Sequence, residues 1–189
     1  YKQNYEGKSM SVEGKVAIIT GAGGGLGRQH ALLLAKHGAK IVVNDLGGAV
    51  DGSGKSDAAD EVVKEIRAAG GTAVANKDSV SDRAGAKNIV DTAVNEFGTV
   101  DIVVNNAGIL RDKSFGKMEI SDWNSVVAVH LGGSANCSLA VWNQMKEQDI
   151  ASKAIEKAEK LKLKKKKTVT KKVEDSDCES LASTVIMTD

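Results

Sequence analysis

A glycine-rich turn, TGAGGGLG at 20–27, follows a β-branched run and precedes a helical stretch. Gly21, Gly25 and Gly27 let a backbone turn tightly and approach a pyrophosphate, while the helix start supplies N–H groups and a favourable dipole. A lone glycine motif says little. The strand before it and the helix after it give it weight. Asp45 closes the next β-branched run, 20 residues after Gly25. A carboxylate there accepts both hydroxyls of an adenosine ribose and repels a 2′-phosphate, which predicts NAD rather than NADP. Asp78, in KDSV, ends a third run and is placed to meet the adenine. Asn105-Asn106-Ala107-Gly108 ends a fourth run. All four groups stand at strand ends, where an open parallel sheet binds ligands.

The elements that position them follow from periodicity. Short apolar runs at 15–20, 40–45, 72–76 and 100–105 read as buried strands. Helical stretches lie between them: RQHALLLAKHG stopped at Gly38, 57–69 with Val62, Val63 and Ile66 on one face, and 82–97 with Ile89, Val90, Ala93, Val94 and Phe97 on one side. Residues 46–56 form a glycine-rich loop. From about 121 to 148 the pattern is helical again, in two pieces around Gly132-Gly133. Four alternations of strand and helix predict an α/β fold of Rossmann type. The doubly wound parallel sheet is expected in the order 3-2-1-4.

Composition narrows the function classes. The 189 residues carry a net charge of +1, so the whole chain is no polycation for nucleic acid. No apolar run approaches the roughly 20 residues of a membrane span. The first residues, YKQNYEGKSM, lack the apolar core of a secretory signal. Cys137 and Cys178 form no CxxC pair, so neither a structural metal nor a disulfide framework is expected. Aromatics make up 3%, which leaves the core to Val, Ile, Leu and Ala, and proline is absent. Three segments are expected: an extension at 1–11, a nucleotide-binding domain at 12–148 and a tail at 149–189. Residues 151–173 hold ten Lys against two Glu. This tail reads as helical at its start, with a solvated, mobile Lys run rather than a nucleic-acid or membrane patch.

TGAGGGLG at 20–27 and NNAG at 105–108 resemble signatures of the short-chain dehydrogenase/reductases. VVNDLGG at 42–48, NAGILRDKSF at 106–115 and VHLGG at 129–133 narrow the resemblance, which covers about 12–148. They are similar to the (3R)-hydroxyacyl-CoA dehydrogenase domains of peroxisomal multifunctional enzymes of type 2, also called 17-beta-hydroxysteroid dehydrogenase type 4. The resemblance implies NAD, a 3-hydroxyacyl-CoA substrate in β-oxidation, a homodimer and a peroxisomal location, with the cytoplasm as alternative. It assigns Gly21, Gly25, Leu26 and Gly27 to the pyrophosphate, Asp45 to a ribose, and Asp78 and Ser79 to the adenine. Asn105, Asn106, Ala107 and Gly108 fall along the second ribose. His130 falls where many members carry an active-site Asn and is expected to be structural, while His30 and His37 are expected at the surface.

The resemblance also implies a catalytic Ser and a Tyr-x-x-x-Lys. The chain has only Tyr1 and Tyr5. Asp149 and Lys153 mimic the spacing, but an ionised carboxylate cannot donate as a phenol does. A dehydrogenase sequence lacking its second half is therefore expected, inactive alone and marginally stable, with the strand at 100–105 as an open edge. The alternatives are a non-catalytic NAD-binding or dimerising module and a basic-tailed anion binder. The chain begins at Tyr1, and Met10 reads as a candidate natural start. The terminal MTD is not an SKL-type signal.

Overall fold

The computed structural model describes residues 11–48 and 56–184, with side chains up to position 160 and at Lys162. Tyr1, Tyr5, Met10 and the centre of the 46–56 loop lie outside the described residues, as do the side chains of Cys178 and of the Lys run at 164–167. The chain divides into two units, Tyr1–Lys146 and Glu147–Asp189.

In the first unit, β1 (Val16–Thr20), β2 (Lys40–Asn44), β3 (Thr72–Asn76) and β4 (Ile102–Val104) form one parallel sheet in the order β3-β2-β1-β4. This is the order expected from the sequence. α1 (Gly25–Lys36), α2 (Ala58–Ala68) and α3 (Arg83–Phe97) are the crossovers. The unbroken apolar runs of the strands now have a cause, because both faces are covered. Ala17, Ile19, Ile41 and Val43 face α1 and α2, burying Ala31, Ala35, Val62, Val63 and Ile66. Val16, Ile18 and Val42 face the other way, against Ile89, Val90 and Ala93 of α3 and Cys137 and Val141 further on. Full burial of one such aliphatic side chain contributes about 1.5–3 kcal/mol.

Among the strands and crossover helices, two boundaries differ from the sequence reading by two residues or more. α1 starts at Gly25 rather than beyond the glycine cluster, so Gly25 and Gly27 belong to its first turn. Glycine's low helix propensity hid three residues whose conformation is set by tertiary packing. β4 is three residues long, not six. Among the described residues it pairs only with β1, so no second neighbour draws out its ends.

Beyond β4 come α4 (Ile120–Val127), a π turn at Ala128–Gly133 and α5 (Ser134–Thr184). The split around Gly132-Gly133 is therefore present. Glu119 and Asp122 start α4 with a reciprocal capping box. No proline interrupts α5, whose 51 residues are rich in Ala, Lys and Glu. In the second unit, Asp149 and Lys153 form an exposed i,i+4 ion pair 2.6 Å long, an ordinary helix-surface pair.

Candidate functional site

The C-terminal ends of the strands open on a cleft of about 710 Å³. Gly21, Gly24, Gly25 and Leu26 line it from the β1–α1 turn, and Asp45 and Leu46 from the end of β2. Asp78, Ser79 and Val80 follow β3, and Asn106 to Leu110 follow β4. The cleft lies where the winding reverses, between β1 and β4. In open α/β sheets this is the place ligands occupy.

Close packing demands glycine at Gly21 and at Gly27. Gly21 takes φ +63°, and a Cβ there would lie 2.8 Å from the Ala107 backbone. A Cβ on Gly27 would lie 2.3 Å from the Gly21 carbonyl oxygen, which seats α1 against the end of β1. In front of Gly24 and Gly25, by contrast, the space is open among the described residues. Among the described residues no side chain caps α1 at Gly24, so the first amides of the helix point their donors and dipole at a cradle a pyrophosphate can fill.

Asp45 is pinned across the next opening. Its Oδ2 accepts from the Gly23 N–H at 2.8 Å and its Oδ1 from the Gly47 N–H at 2.7 Å. Among the described residues each oxygen accepts from one amide, which leaves a lone pair on each for a further donor.

The loops are hung on a row of polar residues, Thr20, Asn44 and Asn76, which sit in register across β1, β2 and β3. All three are buried. Thr20 Oγ1 accepts from the amides of Asn106 and Ala107, both at 3.1 Å, and donates to the Val104 carbonyl at 3.3 Å. Asn44 Nδ2 donates to the Asp78 carbonyl and to Asn76 Oδ1, both at 2.9 Å. Asn76 Nδ2 donates to Asp78 Oδ2 at 2.8 Å and to Thr92 Oγ1 at 2.9 Å. The sequence reading missed this row. Its signal was available, since KVAIIT, KIVVN and TAVAN each end an apolar run on a side chain that hydrogen-bonds.

Of the residues expected at the site, Gly21, Gly25, Leu26, Asp45, Asp78, Ser79, Asn106, Ala107 and Gly108 share the cleft. Gly27 is buried behind it. Asn105 is exposed and donates to Ser138 Oγ at 3.0 Å. The Asn106 amide is engaged with protein, donating to the carbonyls of Thr20 and Gly21 at 3.0 Å each. It ties the loop after β4 to the glycine turn.

His130, in the π turn, lines the cleft. Its Nε2 lies 3.0 Å from the Ile109 carbonyl oxygen and 3.1 Å from the Ile109 nitrogen. Either neutral tautomer therefore has a partner on the same residue. Gly108 makes room for the ring, because a Cβ there would lie 2.6 Å from His130 Cε1. His30 and His37 are exposed. Cys137 is buried away from the cleft, and desolvation pushes its thiol up to about 11.

Comparison with known proteins agrees with this geometry. Residues 15–153 match the family described as short chain dehydrogenase. The chain is 57% identical over 142 residues to "Peroxisomal multifunctional enzyme A" of Dictyostelium discoideum, covering 75% of this chain and 32% of that protein. It is 55% identical over 141 residues to "Peroxisomal hydratase-dehydrogenase-epimerase" of Saccharomyces cerevisiae, covering 74% and 15%. A solved short chain dehydrogenase from Mycobacterium avium superposes with a TM-score of 0.68 at 44% identity, over 75% of this chain and 49% of that one. The chain thus spans a third or less of the length of these two curated relatives. The matched stretch contains the glycine turn, the strand-end carboxylates and the loop after β4, and on these grounds the chain belongs to the short-chain dehydrogenase family.

Proposed function

We propose that the cleft binds NAD. We further propose that these residues form the cofactor-binding part of an oxidoreductase that converts a 3-hydroxyacyl-CoA to a 3-ketoacyl-CoA. One observation carries the choice of cofactor. The Asp45 carboxylate is fixed by two backbone amides at the mouth of the glycine cradle. Held there, it accepts ribose hydroxyls and repels a 2′-phosphate. The turn from Gly21 to Gly27 holds the pyrophosphate, Asp78 and Ser79 the adenine, and the segment 105–108 lies along the second ribose. NAD, when bound, supplies the hydride acceptor. The substrate class rests on the resemblance and on the relatives' names, for a hydratase yields the alcohol that a dehydrogenase oxidises. The same names support a peroxisomal setting.

Alcohol oxidation also needs a base for the hydroxyl proton. The only tyrosines among the 189 residues are Tyr1 and Tyr5, and no Tyr-x-x-x-Lys is present. A polypeptide of these residues is therefore expected to bind NAD without turning over 3-hydroxybutyryl-CoA. Calorimetric titration with NAD and NADP tests the reading. NAD should bind at least about tenfold more tightly, and Asp45→Asn should erase the preference. Equal affinity in the native chain, or no binding, sinks it.

A second reading is a non-catalytic dimerising module. Ile120, Trp123 and Leu131 lie 73%, 56% and 70% exposed at helical spacing along α4 and the π turn, an apolar stripe of the kind that self-associates. Sedimentation that shows only monomer at high concentration would remove it.

A further inference from the structure

Asp78 is held at four points. Its N–H donates to Asn76 Oδ1 at 3.0 Å and its carbonyl accepts from Asn44 Nδ2 at 2.9 Å. Its Oδ2 accepts from Asn76 Nδ2 at 2.8 Å, and its Oδ1 from Asn88 Nδ2 at 3.4 Å. Asn76 supplies two of the four. It is 8% exposed, and each of its hydrogen-bonding positions is used. Oδ1 accepts from Asn44 and from the Asp78 amide. Nδ2 donates to Asp78 and to Thr92. The orientation of this amide is dictated by its neighbours. Thr92 Oγ1 gives its own proton to the Asn88 carbonyl at 2.8 Å and can only accept from Asn76. The Asp78 N–H can only donate. Turning the amide over would set donor against donor and acceptor against acceptor.

A carboxylate held this firmly presents its remaining lone pairs to the cleft in one direction, while Asn76 itself stays beneath. We infer that Asn76 is a positioning residue that, through Asp78, makes the base end of the cleft select a 6-aminopurine over a 6-oxopurine. The inference rests on the reading of the cleft as a dinucleotide site. A 6-amino group donates a proton to the fixed carboxylate. A 6-oxo group faces it with lone pairs, losing the hydrogen bond and adding repulsion. A carboxylate free to rotate would turn aside from the oxo group, so the selectivity depends on the clamp as much as on the charge.

The test is the ratio of two dissociation constants, for nicotinamide hypoxanthine dinucleotide and for NAD, measured by calorimetry on the full chain. A hydrogen bond to a charged group is worth about 10- to 100-fold in affinity, and the native ratio should fall in that range. Asn76→Ala should bring the ratio to within about threefold of one by weakening NAD more than the analogue. Asn88→Ala, on the exposed side of α3 and harmless to the core, should lower it in the same direction by a smaller factor. Asp78→Asn, with an amide to offer an oxo group, should reverse it. A loss of affinity in Asn76→Ala that is equal for both ligands, with Asn88→Ala unchanged, overturns the positioning role while leaving the dinucleotide site standing. A native ratio near one overturns it as well. Failure of the native chain to bind either ligand overturns the site and the inference together.

Discussion

Replacing Thr20 by valine tests whether the loop after β4 is held by one hydroxyl. Thr20 is 1% exposed, and valine keeps its shape and its preference for strands. What is lost is the acceptor of two amides, each 3.1 Å away, and a longer donation to Val104. A typical hydrogen bond contributes about 1 kcal/mol net, and a buried donor left without a partner costs about 1–3 kcal/mol. Both amides belong to half-buried residues at the floor of the cleft, where water reaches them in part, so the lower half of that range applies. Two such losses sum to about 2–4 kcal/mol, against a total of about 5–15 kcal/mol for an ordinary domain. Thr20→Ser keeps the hydroxyl and gives up one buried methyl, about 1 kcal/mol. Urea unfolding of the three proteins, followed by circular dichroism, should rank them native, serine, valine, with the same slope against denaturant. A valine variant within about 0.5 kcal/mol of native, or a serine variant less stable than the valine, would refute the reasoning.

Other outcomes follow from single interactions. Gly108→Ala drives a methyl to 2.6 Å from the His130 ring; NAD affinity should drop about tenfold or more, and His130→Ala in the same chain should restore part of it. Lys113, 2.7 Å away, holds the Asp122 carboxyl below its ordinary value of 3.8. Its contribution is complete above that value and lost as pH falls through the lower folded one. The stability gap between native and Asp122→Asn should therefore stay constant near neutrality and close below about pH 4. Burial and the raised thiol should leave Cys137 unreacted with iodoacetamide at pH 8 until the domain opens; peptide mapping that finds it alkylated as fast as a free thiol would contradict its place in the core. The apolar, half-buried β4 edge should give a broad thermal transition and concentration-dependent aggregation, against which a sharp transition in dilute monomer would count.

Strand number, direction and order were readable because both faces of the sheet are apolar, and a run such as KVAIIT or KIVVND leaves little choice of structure. The carboxylates were readable because a strand end fixes where a side chain can point. What escaped was set by interactions far along the chain. α1 begins inside a glycine cluster because Gly27 meets the Gly21 carbonyl, an approach no propensity encodes. Asn106 reads as a ligand residue in NNAG, yet its amide is engaged by carbonyls some 85 residues earlier. The polar row escaped for the opposite reason. Thr20, Asn44 and Asn76 look like ordinary strand ends one at a time, and only parallel pairing in one register makes them neighbours.

The same row constrains motion. The backbone amides of Asp78, Asn106 and Ala107 belong to loops at opposite ends of the cleft, yet each hydrogen-bonds to a member of the row. The Asp78 carbonyl is also tied to Asn44 on the neighbouring strand, and Asn44 pairs in register with Thr20, so separating these strands is expected to open the floor of the cleft as one cooperative unit rather than loop by loop. In amide exchange the three protons should share a single opening free energy. A ligand seated at the base end alone should then slow exchange at Ala107, across the sheet from anything it touches.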